Sequence, residues 1–160
     1  MYSSKSRASL WIFYFIFTPL TVYPVYFILN LFLEVSLLGN TLILNNCTFP
    51  IEIINACVAG AAYYLLFILN ISIPRIKTDK RIKMILFAFI SLLIINVLRI
   101  VSLSLIFISK PEIFDISHKI TWYFGSTLFV VVIWFIEVKK FRIKEIPFYS
   151  DVKILYKLIK

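Results

Sequence analysis

Apolar residues along this chain gather into four long runs separated by short polar segments. The runs cover about Ser9–Leu33, Ile51–Ile73, Lys83–Ile108 and Ile120–Ile136. Each approaches the ~20 residues a helix needs to cross ~30 Å of hydrocarbon. The pattern predicts an all-α fold, a polytopic membrane helix bundle with about four transmembrane helices (9–33, 51–73, 83–108, 120–136) in residues 1–140. A basic amphipathic tail over residues 141–160 would follow it. The first run exceeds the usual 7–15 apolar residues of a secretory signal, and no small-x-small cleavage pattern closes it. It is expected to stay as a signal anchor, kinked at Pro19 and Pro24.

Composition agrees with a bilayer as solvent. Of 160 residues, 61% are hydrophobic and only three are glycine, which leaves little room for a phosphate-cradling loop. Neither a P-loop nor a dinucleotide fingerprint is present. The net charge of +9 falls in clusters between apolar runs rather than along one polar face, so it points to topology and not to nucleic acid. Arg75, Lys77, Lys80 and Arg81 crowd the segment after the second run, and the tail after Glu137 is rich in lysine. The segment Glu34–Pro50 carries no Lys or Arg. By the positive-inside rule both termini are expected in the cytoplasm of a multi-pass cell-membrane protein. The tail, with Phe148, Ile154, Leu155, Leu158 and Ile159 among its lysines, either lies on the anionic inner leaflet or is a solvated tail that fixes orientation.

Arg99 interrupts the third run near its middle. A cation there costs roughly 2.5 to 3.5 kcal/mol on insertion scales, which marks it as a functional candidate. With the predicted sidedness, Cys57 lies in the outer third of helix two and Arg99 about 14 Å below the outer end of helix three. His118 opens helix four on the same side. A thiol, a guanidinium and an imidazole are thus expected in one outer, extracellular pocket. A cysteine attacks a carbonyl carbon as its thiolate, which a base or a nearby cation helps to form. Arg99 suits a thiolate or a developing oxyanion, and His118 suits proton transfer to a leaving amine. Asn55 is expected to cap helix two and leave Cys57 in its first turn. Asp115, three residues before His118, is expected to influence the protonation of that imidazole.

Ordinary roles remain open for each residue. Cys57 also fits a small core residue, or a disulfide with Cys47 in an oxidising exterior. Arg99 also fits a partner of Glu52, Glu112 or backbone carbonyls that holds helices together. His118, beside Lys119, also fits an interfacial position. One histidine and two cysteines do not make a zinc site, so neither metal nor cofactor is expected.

Three elements in this order, Ala56-Cys57-Val58-Ala59-Gly60, Asn96-Val97-Leu98-Arg99-Ile100 and Asp115-Ile116-Ser117-His118, resemble the exosortase and archaeosortase family. The resemblance covers about Asn55 to His118. It implies a membrane cysteine protease and transpeptidase that acts on surface proteins ending in a short motif, a transmembrane segment and a basic tail. It implies transfer of the new C-terminus to a membrane lipid or another acceptor. Carried over, Cys57 is the nucleophile, Arg99 the thiolate or oxyanion stabiliser and His118 the third catalytic member, with Asn96 one turn from Arg99 as its supporting partner. Two features depart from the family pattern: Val58-Ala59 stands where many members have Ser or Thr and then Gly, and many members are longer with more spans. The chain resembles a short archaeal-type member. The competing expectation is a non-enzymatic membrane subunit or small transporter component, with Arg99 binding an anion or pairing helices.

Overall fold

The computed structural model describes residues 3–44 and 50–143. The chain is mostly helical: α1 (Ser3–Phe32), a short meander of β1 (Val35–Leu38), β2 (Thr41–Leu44) and β3 (Pro50–Glu52), then α2 (Asn55–Val58), α3 (Gly60–Ser72), α4 (Thr78–Ser109), α5 (Pro111–Ile120) and α6 (Ser126–Lys140). One π-helical turn, Thr121–Gly125, joins α5 to α6. The amphipathic tail expected from residue 144 onward and Cys47 lie outside the described residues.

Two helical stretches, Trp11–Phe32 and Thr78–Ser109, are long and apolar enough to cross a membrane. A pair bent by 45°, Pro111–Tyr123 with Thr127–Lys140, passes the same test only when taken together. The outward faces of the long helices match a lipid environment. Phe27 and Leu31 of α1 are each 70% exposed, while Val25 and Leu29 on its inner face are fully buried. Among large aliphatic side chains on α4, Leu86, Ile90, Ile94 and Leu98 form a similar outward stripe.

Three expectations differ in the structure. The fold is not purely helical, because β1, β2 and β3 form an antiparallel sheet in the order β1-β2-β3. The hairpin turns at Gly39-Asn40, where Gly39 takes φ 63°, a conformation glycine adopts without a Cβ penalty. The second apolar run is not one helix from 51 to 73. It begins as strand, makes four helical residues, and restarts as the 13-residue α3, shorter than a full crossing. Likewise His118 does not open the last helix but sits in the final turn of α5, which Pro111 initiates.

An aromatic cluster holds α1, α3 and α4 together. The rings of Phe17 and Tyr63 stack at 3.7 Å, and Phe89 meets both edge-on at 5.4 and 5.5 Å. At the far end of α3 the fully buried Asn70 donates from Nδ2 to Leu66 O at 3.0 Å and to Glu137 Oε2 of α6 at 3.1 Å. Nearby chain geometry is fixed by Arg81, whose Nη2 donates to Ile73 O at 2.7 Å.

A candidate active site around Cys57

The site begins with a break in the backbone. Ala59 takes φ 60° and ψ 37°, the left-handed region, and ends α2 immediately after Val58. In an unbroken helix the Ala62 N–H would serve Val58 O; here it donates to Ala59 O at 2.9 Å, and the Tyr63 N–H shares that acceptor at 3.3 Å. The carbonyls of Cys57 and Val58 therefore need donors from elsewhere in an apolar interior. Helix α4 supplies them. Asn96 Nδ2 donates to Cys57 O at 2.9 Å and to Val58 O at 3.3 Å, and Arg99 Nη2 donates to Cys57 O at 3.0 Å. Asn96 is 3% exposed, so these bonds are shielded from water.

Asn96 and Arg99 thus act on one face of α4, as their spacing predicts, but their target is the main chain of the cysteine segment. Of the ordinary roles open to Arg99, a grip on a backbone carbonyl is present in the geometry. Asn55 is the first residue of α2 rather than its cap. Ile54 holds the cap position and makes no side-chain capping bond. Cys57 is a free, half-buried thiol in α2, which is too short to present a developed helix dipole.

A cavity of about 300 Å³ lies against this break, and Cys57, Arg99 and His118 all line it. One wall is the segment Pro50 to Ile54, a second is α4 from Arg99 to Phe107, and a third is α5 through Phe114 and His118. The His118 ring is held by stacking on Phe114, centroids 5.6 Å apart and planes 20° from parallel. Phe114 in turn meets Phe107 of α4 edge-on at 5.0 Å. The i, i+4 spacing of Phe114 and His118 places both on one face of α5, and Phe107 ties that face to α4. A second hollow, bounded by Ser102, Leu103, Ser117, Thr121 and Phe129, shares Arg99 with the first.

Asp115 is not part of the arrangement. It accepts from Lys119 Nζ at 2.6 Å on the exposed side of α5, and it does not border the cavity. Among the lining residues that sequence reasoning leaves out are the strand wall apart from Glu52, Ser104 and the two phenylalanines. The Phe114–His118 spacing is visible in the sequence, whereas the approach of β3 is a tertiary fact.

Comparison of the chain with protein-family models, with curated proteins and with solved structures finds no match in any of the three. The likeness to exosortases and archaeosortases accordingly rests on the three residue elements themselves.

Proposed function

We propose that the chain is a membrane cysteine peptidase and transpeptidase of the exosortase and archaeosortase type. The observation that carries this reading is the common cavity of Cys57, Arg99 and His118, three groups that come from separate helices and are far apart in sequence. In the proposed topology α1, the α2–α3 segment, α4 and the bent α5–α6 pair each carry the chain across the membrane and leave both termini in the cytoplasm, since Arg75, Lys77, Lys80 and Arg81 follow α3 and the segment before β3 carries no basic residue. The cavity then opens on the extracellular side. Its substrates are surface proteins with a C-terminal motif, a transmembrane segment and a basic tail. Their own helix packs laterally on the bundle and presents its outer flank.

In the reaction, the Cys57 thiol gives its proton to His118 and its sulfur bonds to the substrate carbonyl carbon. The resulting oxyanion lies in a cavity bordered by the permanently charged guanidinium of Arg99. The carbon–nitrogen bond breaks as His118 returns the proton to the departing amine, leaving a thioester on Cys57. Water, an amine or a lipid hydroxyl then gives its proton to His118, bonds to the thioester carbon and expels the sulfur. Asn96 and Arg99 hold the main chain beside the nucleophile so that its position does not drift between the two steps.

A second reading is favoured by the same two hydrogen-bonding residues. Donors spent on backbone carbonyls are what a purely structural helix clamp would need, and a non-enzymatic membrane subunit would use Arg99 in that way. Processing of a surface protein bearing a C-terminal sorting signal, compared in reconstituted membranes between the wild type and Cys57→Ala, separates the two. The peptidase reading expects cleavage to stop in a folded variant. Unchanged cleavage would end that reading.

A further inference from the structure

The strand wall of the cavity has an unusual composition. A strand that borders a space with one face contributes alternate residues, because its side chains alternate across the sheet. Here the consecutive residues Pro50, Ile51, Glu52, Ile53 and Ile54 all border the cavity, so the space lies along the edge of the backbone. The edge in question is the one away from β2. Ile53 N–H donates to Asn40 O at 3.0 Å, and the register pairs Leu42 with Ile51 and Thr41 with Glu52. Ile53 and Ile51 therefore turn their main-chain groups toward β2, while Pro50 and Glu52 turn theirs outward. Pro50, which has no N–H, stands at an outward position, where its missing donor costs the ladder nothing. Among the described residues no strand pairs with this outer edge.

We infer that the outer edge of β3 takes an extended peptide as an added strand, laid along the cavity so that its main chain passes Cys57. The occupant is the extended outer flank of the protein substrate, so the inference rests on the peptidase reading and deepens it. Recognition by strand addition uses main-chain hydrogen bonds, here the Glu52 N–H and the carbonyls of Pro50 and Glu52, and leaves side-chain choice to the cavity walls. An edge that runs directly into the cavity of a nucleophile is suited to an unfolded segment and would exclude a helix, whose main-chain groups are already paired.

The test uses acetyl-Ala-Val-Thr-Ala chloromethyl ketone on the full chain in detergent micelles, with chloroacetamide as the reference reagent. With either, the Cys57 sulfur bonds to the methylene carbon, chloride leaves and the thiol proton passes to solvent. Each rate is divided by that reagent's rate with free cysteine, and on that scale the peptide reagent is expected to label Cys57 at least about tenfold faster than the reference. N-methylation at alternate residues of the peptide is expected to remove about tenfold each, with the intervening positions neutral, since one main-chain hydrogen bond is lost only where the N–H faces β3. Measured against Glu52→Ala, Glu52→Pro should slow the peptide reagent to a similar degree and leave the chloroacetamide rate equal, since both variants lack the carboxylate and only proline lacks the N–H. A peptide reagent no faster than chloroacetamide, N-methyl effects without alternation, or equal losses in Glu52→Ala and Glu52→Pro would overturn the inference. If Glu52→Pro fails to fold, its chloroacetamide rate reveals it, and the N-methyl series on the wild type decides. Alternation together with normal substrate processing by Cys57→Ala would leave strand addition standing and remove the peptidase reading instead.

Discussion

Asn96 and Arg99 stand one turn apart on α4 and converge on one atom, the carbonyl oxygen of Cys57, at 2.9 and 3.0 Å. A carbonyl has two lone pairs, and here both donors come from side chains of a neighbouring helix. The segment that carries the thiol is consequently fixed to α4 through its main chain, independently of what the sulfur itself does.

Removing the amide should therefore be costly. Asn96→Leu leaves the Val58 carbonyl and one lone pair of Cys57 without their donor in a buried setting, and is expected to lower stability by about 2 to 3 kcal/mol. Equilibrium unfolding in mixed detergent and denaturing detergent measures it; a change below half a kcal/mol, roughly the scatter for surface sites, would contradict the clamp.

The thiol's reactivity separates chemistry from architecture. On the peptidase reading, Arg99→Met and His118→Ala are each expected to slow iodoacetamide labelling of Cys57 by about tenfold or more, because both side chains line the cavity that the thiol borders. Unfolding curves run in parallel distinguish this from collapse. A helix clamp without catalysis predicts loss of stability in Arg99→Met and an unaltered labelling rate in His118→Ala.

Ala59 has a left-handed backbone with a side chain that disfavours it. Ala59→Gly removes that penalty, about 1 kcal/mol, and should raise the unfolding midpoint by a few degrees, while Ala59→Val should lower it.

Its neighbour shows the opposite requirement. A Cβ added at Gly60 would lie 2.6 Å from the Tyr14 ring of α1, so the helices meet here by virtue of a missing side chain. Gly60→Ala is expected to destabilise by about 1 to 3 kcal/mol through overpacking. Pairing it with Tyr14→Leu should restore part of the loss, and thermal unfolding of the single and double variants provides the check.

At the other end of the bundle, Glu137 is fully buried and accepts from Asn70 with one oxygen, while no donor among the described residues reaches Oε1. Glu137→Gln keeps an acceptor for Asn70 and removes a buried acid. Stability at neutral pH should hold or rise, by up to about 2 kcal/mol, and a clear fall in the denaturation midpoint would show that the acid has an unseen partner.

How much of this could be read beforehand differs element by element. The long helices α1 and α4 are legible because sustained apolarity alone selects them. The hairpin was also accessible, since Gly39-Asn40 stands between Leu38 and Thr41 at the spacing of a two-residue turn. The broken second helix was not, because its break falls on an alanine, and left-handed backbone at alanine has no sequence mark; only the surrounding contacts hold it there. For α5 the marks were present in Pro111 and Glu112 at its first turn, which move the helix start upstream and carry His118 to its end. Cys57, Arg99 and His118, the three groups that sequence reasoning expects in one pocket, line a common cavity. Asp115 is outside that group and pairs instead with Lys119, four residues on along the same helix.

The break at Ala59 also sets a rule for assembly in the bilayer. Two successive carbonyls are freed at one point of the chain and two donors one turn apart on α4 converge on them, which favours one alignment of the helices. Sliding α4 by one residue displaces its donors by about 1.5 Å along the axis and turns them about 100° away. A lipid-embedded apolar interface alone would tolerate many such offsets, because one leucine-rich surface fits another almost as well as the next. This pair of helices carries instead a vernier mark, readable during folding, that admits one setting and leaves unpaired polar groups in every other.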